Sequence, residues 1–292
     1  MPIFKIDNTK ATQVKLSMFK SEKELQTLVE NNLLELFGIK FLATEFATGG
    51  KHGGRVDTLG IDENNSPAII EYKWGEKDNV INQGLFYLDW LIDHKGDFEL
   101  LVANKLGKQV SVDWSQPRVI LIASSFNRYD TYAINRISEN IELWGYSLHE
   151  GGILEINSLA SSHSGTKKPG KSATTAPASS HSLTIHLQKT SSPLQKRFSE
   201  IREMILELQS VEEKTAQKTG ITYRTSQSFA RFEFRRNSID LLIRAPKYID
   251  PKNLMRDVTS FDWGYRGLVK INADTDMSYI FTLIKQSYEE TL

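Results

Sequence analysis

Between Asn157 and Ser199 the chain carries no acidic residue, and much of the stretch is small or polar: NSLASSHSGTKKPGKSATTAPASSHS. Such a segment cannot bury enough apolar surface to offset the entropy of ordering it. The sequence therefore reads as two domains joined by a flexible, mildly basic linker. The expected boundaries are 1–156 for the first domain, 157–192 for the linker and 193–292 for the second. With 292 residues the chain is long enough to hold two cores, and no internal repeat is visible on either side of the linker.

Lys+Arg and Asp+Glu are both 36, so no global field announces a nucleic-acid or membrane partner, and any basic surface must be local. The absence of cysteine excludes disulfide scaffolds, thiolate zinc sites and cysteine nucleophiles. No apolar run approaches the roughly 18–20 residues of a membrane span, and the start, MPIFKIDNTKATQVK, lacks the apolar core of a secretory signal. The expectation is a cytoplasmic protein with no membrane partner.

Ser21-Glu22-Lys23-Glu24 is a capping-box pattern, and Leu25, Leu28, Val29, Leu33 and Leu36 follow at helical spacing. A helix is predicted over 21–37. Strands are predicted at 39–47, 54–62 and 67–74, then helices at 78–93 and 97–106. The apolar run at 117–124, PRVILIAS, suits a strand buried on both faces. With a further helix and strand trailing to 156, the first domain is expected to be a mixed α/β sheet flanked by helices. The second reads as a smaller α+β domain: helix 194–208, strands at 221–225, 229–235, 238–244 and 266–272, and a last helix at 276–290. RRNS, Arg235 to Ser238, is a hairpin-turn candidate, and nothing in this domain looks catalytic.

AIIEYKW, Ala68 to Trp74, reads as a buried strand with an acid and a base in its middle. Alternation puts Ile69, Glu71 and Lys73 on one face and Ile70, Tyr72 and Trp74 on the other. Asp57 precedes Glu71 by fourteen residues across the turn-rich ENNS, so an antiparallel hairpin brings the two carboxylates together. That requires a hairpin centred on Asn64 or Asn65, with an odd-length or bulged turn; a centre between them puts Asp57 on the wrong face. Two close carboxylates need a shared proton or a cation. Mg²⁺ suits a site of one or two carboxylates without histidine or cysteine, and Asp, Glu and Lys together suit phosphodiester hydrolysis.

Asp57, then Glu71-Tyr72-Lys73, resembles the signature of the PD-(D/E)XK nuclease superfamily, whose core has the helix, three strands, helix, strand order inferred above. Gln83-Gly84-Leu85-Phe86-Tyr87 resembles the Q-x-x-x-Y motif of its RecB-like branch, with Gln83 and Tyr87 one helical turn apart. Glu24 matches the first-helix glutamate of the archaeal and actinobacterial mismatch and branched-DNA endonucleases. The resemblance implies Asp57 and Glu71 as ligands of a catalytic Mg²⁺ or Mn²⁺, Lys73 as the catalytic lysine, and Glu24, Gln83 and Tyr87 as helpers. It covers residues 24–87 by motif and extends in general pattern to 156. The C-terminal part resembles a small uncharacterised domain of bacterial proteins, some of them labelled predicted transport proteins.

Several of these residues have plainer explanations. Glu24 could simply complete the cap at Ser21, with Glu30 as the fallback acid, and Tyr87 could be core beside Phe86 and Trp90. Lys51 and Arg55 in KHGGR, with Lys77 and Trp74 beyond the central strand, are candidate nucleic-acid contacts or ordinary loop and rim residues. The six histidines show no metal-ligand spacing. The expected function is a metal-dependent DNA endonuclease in bacterial repair or defence, and nucleases of this kind often act as homodimers. The competing expectation is a nuclease-fold module that binds nucleic acid or a protein partner without turnover.

Overall fold

The computed structural model describes residues 2–49, 53–74, 80–134, 136–162, 178–216, 220–244, 247–258 and 263–292. The chain forms two compact units. The first comprises the described residues up to Leu33, Lys40–Ile61 and those from 66 to 162; the second comprises Leu34–Ile39, Asp62–Asn65 and those from 178 onward.

The first unit opens with a hairpin, β1 (Ile3–Asp7) and β2 (Lys10–Val14), followed by a short strand β3 (Leu16–Ser17). Helix α1 (Glu22–Asn31) starts at Ser21, whose hydroxyl accepts the Glu24 N–H at 3.2 Å, and it buries Leu25, Gln26 and Val29. The single helix expected over 21–37 is two: α1 ends at Asn31 with Asn32 as its cap, and α2 (Leu33–Phe37) follows, its residues from Leu34 counting with the second unit. Gly38, at φ 64°, turns the chain out of α2 into β4 (Ile39–Ala47). Next come β5 (Arg55–Asp62), β6 (Pro67–Lys73), α3 (Val80–Asp93), α4 (Lys95–Leu106), β7 (Arg118–Ala123), α5 (Arg128–Ile134), β8 (Asn140–His149) and β9 (Ile153–Ser161).

These strands form a mixed sheet in the order β3-β8-β7-β6-β5-β4, with β9 also paired to β8. β6, β7 and β8 run parallel, while β5 is antiparallel to β6. Every residue of β7 is buried, as its continuous apolar run requires. Arg118 at its start is offset by Glu142 at 3.0 Å, both side chains 2% exposed, and the Trp144 indole N–H donates to the same carboxylate at 3.1 Å. Helix α3 covers the Glu71 face. A Cβ on Gly84 would lie 2.8 Å from Val119 Cγ1 and 3.0 Å from Leu121 Cδ2, so glycine lets the helix sit close on β7.

The second unit is an antiparallel sheet in the order β10-β11-β12-β13-β15-β14. Its strands are β10 (Glu212–Ala216), β11 (Gly220–Arg224), β12 (Ser228–Phe234), β13 (Ile239–Ile243), β14 (Met255–Asp257) and β15 (Gly267–Ile271). Helices α6 (Ala178–Gln188), α7 (Ser192–Leu206) and α8 (Met277–Glu289) complete it. Leu194, Phe198, Ile201 and Ile205 of α7 and Ile280, Leu283 and Ile284 of α8 pack on Ile221, Phe229, Phe232, Leu241 and Val269 of the sheet. RRNS does form the β12–β13 turn, closed by the Arg235 N–H to the Ser238 carbonyl at 2.9 Å. One expectation is corrected: part of the composition-defined linker is helix α6, and Leu183 and Leu187 of that helix pack on this core. Among the described residues no helix is long and apolar enough to cross a membrane.

Candidate active site

The β5–β6 register pairs Thr58 with Ile70, Leu59 with Ile69, Gly60 with Ala68 and Ile61 with Pro67. The centre is Asn64 and the loop between paired residues is odd in length, which is the geometry that puts Asp57 and Glu71 on one face. Asn65, at φ 61°, and the Asn65 N–H to Asp62 carbonyl bond of 2.9 Å close the turn. Beyond the Thr58–Ile70 pair the side chains take up the backbone donors. The Asp57 N–H donates to Glu71 Oε1 at 3.0 Å, and the Tyr72 N–H donates to Asp57 Oδ2 at 3.1 Å. Each carboxylate is thus aimed by the backbone of the opposite strand.

Glu71 is fully buried and Asp57 half-buried. Burial, followed by repulsion from Asp57, raises the Glu71 carboxyl from the ordinary 4.5 to about 9, while the Lys73 charge pulls the other way. Burial also raises Asp57, against the Tyr72 N–H and Lys73, with the Glu22 charge adding to the rise. A hydrogen bond between the two side chains pulls Asp57 down and pushes Glu71 further up. Lys73, half-buried on the same strand, is the cation nearest in effect to both.

The Gln83 amide on α3 donates to Glu71 Oε2 at 2.7 Å, so both Glu71 oxygens are fixed. Tyr87, one turn along, does not join it at the carboxylates. Its hydroxyl accepts the Arg55 N–H at 3.2 Å, and its ring lies where a Cβ on Gly54 would sit 2.9 Å away. Tyr87 therefore anchors the start of β5, the strand that carries Asp57, and glycine at 54 makes room for it.

Glu24 is the main correction. It is exposed, and its carboxylate accepts the Lys20 N–H at 2.6 Å as part of the helix cap. The acid of α1 that reaches the carboxylate pair is Glu22, whose charge is felt by Asp57 and whose carboxylate accepts the Trp74 N–H at 2.9 Å. Glu22, Gln26 and Glu30 recur every four residues and so share one stripe of α1. Buried Gln26 donates to the Asp57 carbonyl at 2.9 Å, and Glu30 accepts from the Gln26 amide at 3.0 Å and from the Thr58 hydroxyl at 2.7 Å. That i, i+4, i+8 polar stripe is the signal for Glu22 and Gln26 and joins them to Glu30, the fallback acid; the capping box points to Glu24 instead.

Arg55 is exposed but ion-paired with Glu45, which Lys23 also contacts at 3.1 Å. Lys51 and Lys77 lie outside the described residues. Trp74 is 47% exposed at the end of β6. Among the described residues no group of three or more His, Cys, Asp or Glu side chains is arranged to hold a metal ion. What the site offers is two hard oxygen donors, one fully desolvated, which fits a magnesium-like cation completing its shell with water and phosphate and does not fit zinc.

Residues 184–291 match the family model described as a domain of unknown function, DUF5655. Over 305 aligned residues the chain is 28% identical to a Haemophilus influenzae protein described as uncharacterized, covering 99% of this chain and all of that one. Among solved structures, a repair endonuclease from Pyrococcus abyssi is similar at 21% identity and TM-score 0.29, over 44% of this chain and 47% of that one. An EndoMS–dsDNA complex is similar at 20% identity and TM-score 0.27, over 48% and 49%. This chain thus spans about half the length of each solved structure it matches.

Proposed function

We propose that this chain is a metal-dependent DNA endonuclease of the PD-(D/E)XK type, acting in bacterial DNA repair or defence. The observation that carries the reading is the pairing of Asp57 and Glu71 on one hairpin, with Lys73 beside them and Gln83 bonded to Glu71. Asp57 and Glu71 would hold a Mg²⁺ or Mn²⁺ ion, which when bound would supply positive charge to stabilise the reacting phosphate. Lys73 orients the attacking water and stabilises the charge that builds on the phosphorus centre. Gln83 keeps Glu71 facing its task, and Glu22 adds negative charge on the side of Asp57. A cytoplasmic location and a homodimer that cuts two strands go with this reading.

The test uses purified protein with Mg²⁺ or Mn²⁺ on single-stranded, branched, mismatched and modified DNA. Cleavage is expected, and Lys73→Ala is expected to lower it by about 10²–10³-fold, the usual cost of removing one preorganised charge-stabilising group. No cleavage above the Lys73→Ala level overturns the enzyme. Calorimetry separates the competing reading: Mn²⁺ binding lost in Asp57→Asn supports the metal site, and undetectable binding by wild type points to a nuclease-fold module that binds without turnover.

A further inference from the structure

Helix α5 begins four residues after β7 ends, and β7 runs parallel to β6 with Ala123 beside Lys73. With four residues between them, Arg128 lies at most about 18 Å from Ala123, so α5 starts at the end of the sheet at which Lys73 leaves β6. The helix is well capped. The Asn127 side chain accepts the N–H groups of Tyr129 and Asp130 at 2.8 and 3.0 Å, and the Asp130 carboxylate accepts the Asn127 N–H at 3.0 Å. Ile134 supplies its buried contact.

Tyr129 and Tyr132 are each 72% exposed, and their three-residue spacing puts them side by side. The Arg128 guanidinium lies 5.3 Å from the Tyr129 ring centroid. Arg128 and Tyr132 are one helical turn apart, and Arg136 is exposed two residues past the helix end. Single exposed apolar residues are ordinary, but two neighbouring exposed aromatics with arginines beside them have the composition of a nucleic-acid stacking surface.

We propose that this face of α5 is a stacking platform for unpaired bases of single-stranded nucleic acid, with Arg128 and Arg136 engaging the adjacent phosphates. The choice of ligand rests on the nuclease reading above. In a duplex the bases cover one another and present only their edges in the grooves, so their faces are open to an aromatic ring only where the strands are unpaired. The acid within α5, Asp130, is held at the cap by the Asn127 N–H, and the two arginines outnumber it.

Fluorescence anisotropy in EDTA, where no strand is cut, tests this with labelled oligothymidylate and a duplex of equal length. Tyr129→Ala and Tyr132→Ala are each expected to weaken oligothymidylate binding by about 5- to 100-fold and to leave duplex binding within about twofold. Tyr129→Phe is expected to bind as wild type, and Arg128→Ala to reduce the slope of log affinity against log salt by about one. Thermal melts of the four variants are expected to match wild type, since neither tyrosine is buried. Unchanged oligothymidylate affinity in the double alanine variant, an equal loss on duplex, or no binding by wild type overturns the platform. Wild type that binds but does not cut with Mg²⁺ sinks the nuclease reading and leaves the platform standing; wild type that cuts while the double variant binds normally does the reverse.

Discussion

Glu71 is held by two donors and pushed by two opposing charges, and the balance sets how the protein responds to pH. Its folded carboxyl sits at about 9 against an ordinary 4.5, so folding favours the protonated form. A raised carboxyl contributes stability that is complete below about 4.5 and is lost as pH rises through about 9. Asp57 is shifted in the same direction, so its contribution has the same sign. In EDTA the melting temperature is expected to fall between pH 5 and 9, by about 2–4 °C for each kcal/mol lost. Mg²⁺ is expected to flatten that slope by taking the place of the proton, and Glu71→Gln to flatten it without metal. Differential scanning fluorimetry across the pH range checks all three, and a level wild-type profile in EDTA sinks the account of a desolvated pair. That Asp57, Glu71 and Lys73 lie together was legible because strand alternation and spacing fix which face a residue takes, whereas Gln83 came from the resemblance of its motif. Glu22 was not, because helix caps and helix faces use the same residue types and Glu22 also falls within the capping box.

The central elements carry their own signals. The β5–β6 hairpin could be read to its register, since only an odd turn centred near Asn64 unites the carboxylates. β7 announced itself by an unbroken apolar run. The β1–β2 hairpin went unread because nearly all of its residues are exposed, so burial imposes no alternation on them. β9 was obscured where it enters the small, polar composition after Asn157, and β10 by its mostly polar sequence. On α3 two adjacent residues do separate jobs, and mutation can tell them apart. Gln83→Ala removes the 2.7 Å bond to Glu71 from a half-buried position; cleavage is expected to fall at least tenfold with the melting temperature nearly unchanged. Gly84→Val forces a branched side chain against Val119 and Leu121 of β7, an overpacking cost of about 1–3 kcal/mol. It is expected to lower the melting temperature by several degrees and, by lifting α3, to reduce cleavage as well. Equal melting temperatures for the two variants argue against close packing of α3 on the sheet.

At the scale of the whole chain, the two units include segments that composition does not mark, Leu34–Ile39 and Asp62–Asn65 falling with the second. An acid-free, small-residue stretch marks where a core cannot form, yet within it Leu183 and Leu187 at i, i+4 suffice to dock α6 on the second core. That core draws its buried residues from Leu194 to Tyr288, with α7 and α8 lying on the sheet built between them. A core so local in sequence does not depend on the carboxylate hairpin for its apolar burial. Residues 178–292 expressed alone are therefore expected to unfold in one cooperative transition. Because the proposed metal ligands lie outside that segment, Mn²⁺ is expected to leave its melting temperature within about 1 °C, whereas ligand linkage should raise that of the full chain. Calorimetry on both proteins with and without Mn²⁺ reads the difference. A non-cooperative melt of 178–292 would show that the second core needs the rest of the chain, and a Mn²⁺ shift in 178–292 would place metal binding somewhere other than Asp57 and Glu71.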